Sequence, residues 1–146
     1  MEPPNLEGLP SWAAELLRTA PVARLGLVDQ DGAPRVLPVT FALAEGRIWS
    51  AVDDKPKRPS GKELARLRYL RRDPRAALTL DRYSDDWGKL AWVQVLGEVA
   101  ITAQGSAASG LEALTAKYPQ YRASPPPGPV LELTPGRCLF WRAGGA

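Results

Sequence analysis

The sequence predicts a mainly β, α+β fold: a barrel of antiparallel strands with helices at its periphery. Three observations carry this. Short apolar and β-branched runs such as Ala23–Val28 and Arg47–Val52 are bounded by Asp-Gly or Glu-Gly turn signals. One stretch alternates strictly, with Val93, Val95, Val99 and Ile101 on one face and Trp92, Gln94, Leu96 and Glu98 on the other. Helical periodicity is confined to three short segments set between groups of strands, which suits a barrel with helices outside it.

In chain order, Ser11 to Thr19 is a short amphipathic helix with Trp12, Leu16 and Leu17 on one face, ended before Pro21, and expected to plug one end of the barrel. Ala23–Val28 is a strand, Asp29-Gln30-Asp31-Gly32 a turn, and Pro34 to Leu43 a second strand, together a hairpin. A reversal at Ala44-Glu45-Gly46 leads into a third strand over Arg47–Val52. Asp53 to Gly61 is a polar, basic loop. Ser60 as N-cap and Glu63 three residues later form a capping box for a helix carrying Leu64, Leu67 and Leu70, stopped by Asp73-Pro74. Arg75 to Tyr83 is a strand, Ser84 to Gly88 a loop, and the alternating segment a long strand in which Gly97 marks a bulge or a close backbone contact. Leu111, Leu114 and Tyr118 mark a further helix, Lys117 to Pro129 a proline-rich connection, and Val130–Leu133 with Arg137–Arg142 close the sheet.

The 146 residues suffice for one domain with a real core, divided into an N-terminal helix over 1–21 and a barrel over 22–142. There is no run of 18 apolar residues, and the first residues lack the basic and apolar regions of a signal peptide, so a cytoplasmic protein is expected. Cys138 is the single thiol, which excludes an intrachain disulfide and suits a small buried hydrophobe. No histidine is present. That removes the usual general base, the Ser-His and Cys-His nucleophile pairs and most metal ligation, so no metal site is expected and chemistry must come from a bound cofactor.

The net charge of +3 is unevenly spread. Lys55, Lys57, Arg58 and Lys62 stand directly before a helix start, followed by Arg66, Arg68, Arg71, Arg72 and Arg75, against only Glu63 and Asp73. Open amides and the dipole at a helix start favour a phosphate, and the cations add charge-assisted hydrogen bonds. Glu63 works against this, because a carboxylate completing the capping box would repel the same phosphate. Asp53-Asp54 and Asp85-Asp86 are adjacent pairs whose members point apart on a strand, so they read as turn residues rather than an acid–base dyad or a metal site. Of the five tryptophans, Trp49 and Trp92 are placed on strands near the basic loop and offer surfaces for a ring system.

Taken together, Arg35-Val36-Leu37-Pro38-Val39-Thr40-Phe41, Ala51-Val52-Asp53-Asp54-Lys55-Pro56-Lys57, Asp85-Asp86-Trp87, Lys117-Tyr118-Pro119-Gln120-Tyr121 and Pro126-Pro127-Gly128-Pro129-Val130 resemble the pyridoxamine 5'-phosphate oxidase-like, FMN-binding split-barrel superfamily, and within it the coenzyme F-420-dependent subgroup. The resemblance runs from about Val22 to Trp141. It implies a split β-barrel homodimer holding a flavin or deazaflavin at the subunit interface. Leu37, Pro38, Val39 and Thr40 would lie under the ring, Trp49, Ser50 and Ala51 would flank the ribityl chain, and Lys55, Lys57, Arg58 and Lys62 would hold phosphate. Trp92 falls where oxidases of the superfamily carry a flavin-contacting glutamine. That departure, with the missing C-terminal arginine and histidine, argues against pyridoxamine-phosphate oxidation itself. Tyr118 and Tyr121 are expected to face the site from the partner chain.

The resemblance implies an oxidoreductase that passes hydride between coenzyme F-420, or FMN as the alternative, and a small organic substrate that the sequence does not identify. No side chain is an obligate catalyst, so a non-catalytic flavin- or deazaflavin-binding module is the second possibility. A nucleic-acid binder is a third, weakened because the basic face lacks interleaved aromatics on a strand platform. Neither a nucleic acid nor a membrane is an expected partner.

Overall fold

The computed structural model describes residues 5–52 and 64–144. Helix α1 (Ser11–Thr19) is followed by strands β1 (Ala23–Val28), β2 (Pro34–Val39), β3 (Ala42–Ala44) and β4 (Arg47–Ala51). Then come α2 (Ala65–Arg72), β5 (Arg75–Arg82), β6 (Ala91–Thr102), α3 (Ala108–Lys117), α4 (Pro119–Ala123) and β7 (Val130–Arg142). All pairings are antiparallel in the order β2-β1-β5-β6-β7-β4-β3.

The two outer strands of that order, β2 and β3, are consecutive in the chain, joined only by Thr40 and Phe41. The sheet therefore curls on itself. Leu25, Val39, Ile48, Ser50, Leu78, Val99, Leu131 and Leu133, drawn from six strands, meet around a void of about 10 Å³. This is the split β-barrel. Its interior is filled by side chains rather than by a ligand.

The alternation read from β6 holds: Val93, Val95 and Val99 are buried while Trp92, Glu98 and Ala100 are exposed. The register with β7 shifts between Leu96 and Gly97, the bulge that a mid-strand glycine signals. A Cβ on Gly97 would collide with the Thr134 carbonyl, so the close backbone contact is present as well. The bulge also explains why the last two strands expected from the sequence are one. Pro135 and Gly136 interrupt the pattern without ending β7.

The strand expected over Pro34–Leu43 is broken. β2 stops at Val39 and β3 starts at Ala42, because Phe41 turns into the core and is fully buried. The Ala44–Arg47 connection is a two-residue reversal in which Glu45 and Gly46 have φ of 56° and 72°, the left-handed pair that matches hairpin twist. Helix α2 begins at Ala65 with Leu64 as an uncapped N-cap. The capping box of Ser60 and Glu63 lies outside the described residues. Within the proline-rich connection, Pro119 opens α4, a position where its missing N–H costs nothing.

Helices α1 and α2 cover the core through Ala13, Leu16, Leu17, Leu67 and Leu70. A second apolar cluster joins α3 and α4 to β3, β4 and β7: Ala42, Trp49, Ala51, Ala107, Leu114, Tyr121 and Val130. Among the described residues no helix is long and apolar enough to cross a membrane.

Candidate functional site

A cavity of about 160 Å³ opens where β2 and β4 end and α2 begins, lined by Val22, Pro38, Val39, Thr40, Ala51, Leu64 and Arg66. A second hollow of about 250 Å³ adjoins it along β2, lined by Leu27, Arg35, Val36, Leu37, Leu64, Ala65, Arg66 and Tyr69. Leu64 and Arg66 belong to both. The alternation of β2 explains the lining. Leu37 and Val39 turn toward the core, half-buried and buried, whereas Val36 and Pro38 turn outward. Because β2 has a sheet neighbour on one side only, part of its backbone N–H and C=O row is left to the groove.

The walls mix polar and apolar surface, and among the described residues the charge on them is cationic. Arg66 supplies the guanidinium common to both hollows. Arg35, on the rim, lies 3.7 Å from the Asp29 carboxylate and 6.0 Å from the centre of the Tyr69 ring. Asp29 accepts the amides of Ala33 and Asp31 at 3.0 and 2.9 Å. The Ala33 amide is the largest of the influences that hold its carboxyl below the usual range; Arg35 adds to it. Arg35 is thus committed in part to the β1–β2 turn, while Arg66 lines both hollows.

The corner after β2 is held from behind by the α3–α4 junction. The hydroxyls of Thr40 and Tyr121 are 2.6 Å apart, and Ser50 Oγ donates to the Thr40 carbonyl at 2.6 Å. The Phe41 amide donates to the Tyr118 hydroxyl at 3.0 Å, and that hydroxyl lies 2.8 Å from the Pro21 carbonyl and 3.0 Å from the Phe41 carbonyl. Lys117 places its ammonium 3.7 Å from the centre of the Phe41 ring, shielded from solvent and, among the described residues, without a hydrogen-bond acceptor. Burial pushes the Lys117 amine down to about 8, with the positive charge of Arg18 acting in the same direction.

Of the residues expected at a cofactor site, Pro38, Val39, Thr40 and Ala51 meet in the first cavity and Leu37 lines the second. Ser50 lies one layer deeper, buried in the barrel interior, and touches the site through the Thr40 carbonyl. Trp49 is not in the cavity. It faces the opposite side of β4, buried against α3, with its indole N–H donated to the Ala44 carbonyl at 2.9 Å. Trp92 is not there either: it pairs with Asp81 and Trp141 on the outer face of the sheet and is 37% exposed. Lys55, Lys57, Arg58 and Lys62 lie outside the described residues. Tyr118 and Tyr121 hydrogen-bond to Phe41 and Thr40 of their own chain.

Sequence reading missed Val22, Leu64 and Arg66. The signal for Arg66 was its place in the basic run that follows Lys62. Among the described residues no group of three or more Cys, Asp or Glu side chains could hold a metal ion.

A family model described as pyridoxamine 5'-phosphate oxidase matches residues 9–142. Curated proteins provide no significant sequence match. Among solved structures, a conserved hypothetical protein from Mycobacterium tuberculosis is similar with a TM-score of 0.73 at 18% identity, over 92% of this chain and 84% of that one. A FAD-binding protein from Mesorhizobium loti has a TM-score of 0.67 at 15% identity, over 90% and 93%. An F-420 reductase has a TM-score of 0.65 at 20% identity, over 91% and 98%. At these identities the likeness is one of fold.

Proposed function

The chain belongs to the pyridoxamine 5'-phosphate oxidase family, and from that premise we propose that it is an oxidoreductase holding a flavin-type cofactor, coenzyme F-420 or FMN, in the groove between β2 and α2. The observation that carries this is the convergence of Pro38, Val39, Thr40 and Ala51 with Arg66 in one cavity at the start of α2. The donor set fits the group. Pro38, Val39, Ala51 and Leu64 give a flat apolar wall for a ring, the open edge of β2 gives backbone partners, and Arg66 gives a phosphate or carboxylate its counter-charge. Similarity of fold to a FAD-binding protein and to an F-420 reductase supports the same cofactor class.

When bound, the cofactor supplies the redox centre, and hydride passes to a small organic substrate of unidentified structure. This chain's part is orientation and exclusion of water. Val22 and Leu64 close the sides of the cavity, and the Thr40–Phe41 corner is fixed by Tyr118, Tyr121 and Ser50 so that the wall does not yield. Lys55, Lys57, Arg58 and Lys62 would extend the cationic surface from Arg66 along the phosphate or an oligoglutamate tail. The extra cations favour F-420.

We further propose that the working unit is a homodimer. The first cavity is smaller than the roughly 300–1,000 Å³ typical of ligand pockets, and both hollows are open on one side. Val36, on the rim, is 71% exposed, and Trp92 and Trp141 stand exposed on the same outer sheet face. A second copy seated there would cover apolar surface and supply the missing wall.

Among the described residues, arginines are the charged side chains lining the two hollows, and no carboxylate or lysine joins them. This favours, as a second reading, a module that binds the cofactor without turnover. Stopped-flow oxidation of the reduced, bound cofactor by a panel of carbonyl, enone and nitro acceptors separates the two. Acceleration over free cofactor by any acceptor supports the enzyme, and no acceleration by any of them supports the module.

A further inference from the structure

We infer that Lys117 is the buried counter-charge of the cavity: its ammonium, held behind the wall with no carboxylate of the described residues beside it, selects an anionic ligand over a neutral ligand of the same shape. The inference rests on the cofactor reading above and adds to it a cation that lines neither hollow.

Lys117 ends α3 and opens the Lys117-Tyr118-Pro119-Gln120-Tyr121 stretch. Its ammonium nitrogen is shielded from solvent, has no hydrogen-bond acceptor among the described residues, and stands 3.7 Å from the centre of the Phe41 ring and 5.4 Å from that of Tyr118. Ring faces offset part of the lost hydration but carry no net charge. The charged group whose field reaches Lys117 is Arg18, on α1, and it repels. Glu15, the nearby carboxylate of α1, is bound to Arg18 at 2.6 Å. Burial pushes the Tyr118 phenol above its usual value, so it supplies no negative charge at pH 7. Elsewhere around α3, Arg47 and Glu132 pair with each other at 3.1 Å, and Arg122 is exposed. Among the described residues the positive charge of Lys117 is therefore uncompensated.

The fold sets this charge directly behind the cavity. Phe41 follows Thr40, and the Tyr118 hydroxyl lies 2.8 Å from the carbonyl of Pro21, which precedes Val22; Thr40 and Val22 both line the cavity. The two rings that flank the ammonium thus reach the wall within one residue of its lining. Between charges separated by protein rather than water, attraction persists at about 10 Å and is little screened by salt. An anion in the cavity offsets the cost of burying the ammonium, and a neutral ring does not. The coupling is reciprocal: whatever affinity the anion gains from the charge, the charge gains from the anion. Burial, with Arg18 acting in the same direction, pushes the amine down to about 8, so the charge can be removed by pH within a range that the test can reach.

The test titrates the full chain at pH 7 and pH 10 with FMN, with coenzyme F-420 and with riboflavin, which carries the flavin ring without the phosphate, and follows ring fluorescence. Lys117→Met removes the charge and keeps an unbranched side chain. At pH 7 it is expected to weaken binding of the anions about 3- to 10-fold and to leave riboflavin within about twofold. At pH 10, where Lys117 is neutral, the two chains should bind either anion within about twofold of each other. In the unaltered chain carrying isotopically labelled lysine, saturation with the tighter anion should raise the Lys117 titration midpoint, read by NMR, by about 0.5 to 1 pH unit, the same coupling seen from the other side. Equal losses for riboflavin and the anions at pH 7 assign Lys117 to packing and overturn the inference, as does a midpoint that a bound anion leaves in place. Should Lys117→Met fail to fold, or riboflavin bind too weakly to measure, the labelled-lysine midpoint decides. If the unaltered chain binds neither anion, the cofactor reading falls and the inference with it, whereas an anion that binds without sensing Lys117 overturns the inference alone.

Discussion

The indole of Trp49 lies against the backbone of Gly110 so closely that a Cβ on the glycine would collide with the ring, 2.3 Å from its nearest atoms. This contact clamps α3 onto β4 and explains why a tryptophan expected to touch a cofactor belongs to the core instead. Gly110→Ala should therefore cost stability, about 1–3 kcal/mol as an overpacked core, although alanine is the better helix former. Trp49→Leu in the same chain should restore part of the loss. Urea unfolding followed by far-ultraviolet dichroism checks both, and a neutral or stabilising Gly110→Ala would contradict the packing described.

Arg66 lines both hollows and, among the described residues, is the cation lining the first. Arg66→Ala should weaken binding of an anionic cofactor about tenfold and flatten the salt dependence of its affinity, because one charge-assisted hydrogen bond is removed. Lys55→Ala with Lys57→Ala should weaken binding as well, with little change in stability, since exposed charges contribute little to it. Fluorescence titrations at two ionic strengths decide. Salt dependence equal to that of the unaltered chain in both sets would move the anion elsewhere.

Lys117 makes stability depend on pH in an unusual direction. Its folded pKa, about 8, is below the ordinary 10.5, chiefly because burial disfavours the charged form. In the pH interval between those values the unfolded chain binds more protons, so this group's contribution rises with pH there and is flat below about 8. Lys117→Met should be the more stable chain at pH 7, by on the order of 1 kcal/mol after allowance for solvent screening. The difference should close by about pH 10. Denaturant midpoints at pH 7, 8, 9 and 10 test it, and a gap independent of pH would show that Lys117 titrates normally.

For the dimer, the exposed apolar residues of the outer sheet face give the handle. Trp141→Asp should shift the sedimenting species at micromolar concentration from twice the chain mass to the chain mass and weaken cofactor binding with it. Trp141 is 47% exposed, so the folded monomer should tolerate the change. A chain that is monomeric before any substitution removes the proposal.

Much of the barrel was legible because local signals agreed with tertiary demands. The alternation of β6, the bulge at Gly97 and the Asp-Gly hairpin each needed only a few neighbouring residues. The β2–β3 break was not legible, since Val39, Thr40 and Phe41 read as continuous strand, whereas the burial of Phe41 and the hydroxyls of Tyr118 and Tyr121 that hold the corner involve residues far away in the chain. The packing of Trp49 was not legible for a related reason. An indole suits a ring stack or a helix contact equally well, and only Gly110, on α3, decides between them. Arg66 was overlooked because charge in a basic run does not say which cation faces a cavity.

The cofactor itself is the central claim, and a direct titration tests it. Coenzyme F-420 and FMN, added separately to the purified chain and followed by fluorescence, should show at least one saturable transition in the micromolar range or tighter, near −8 kcal/mol. That transition should be weakened by Arg66→Ala. No saturation by either compound up to millimolar concentration would contradict the account.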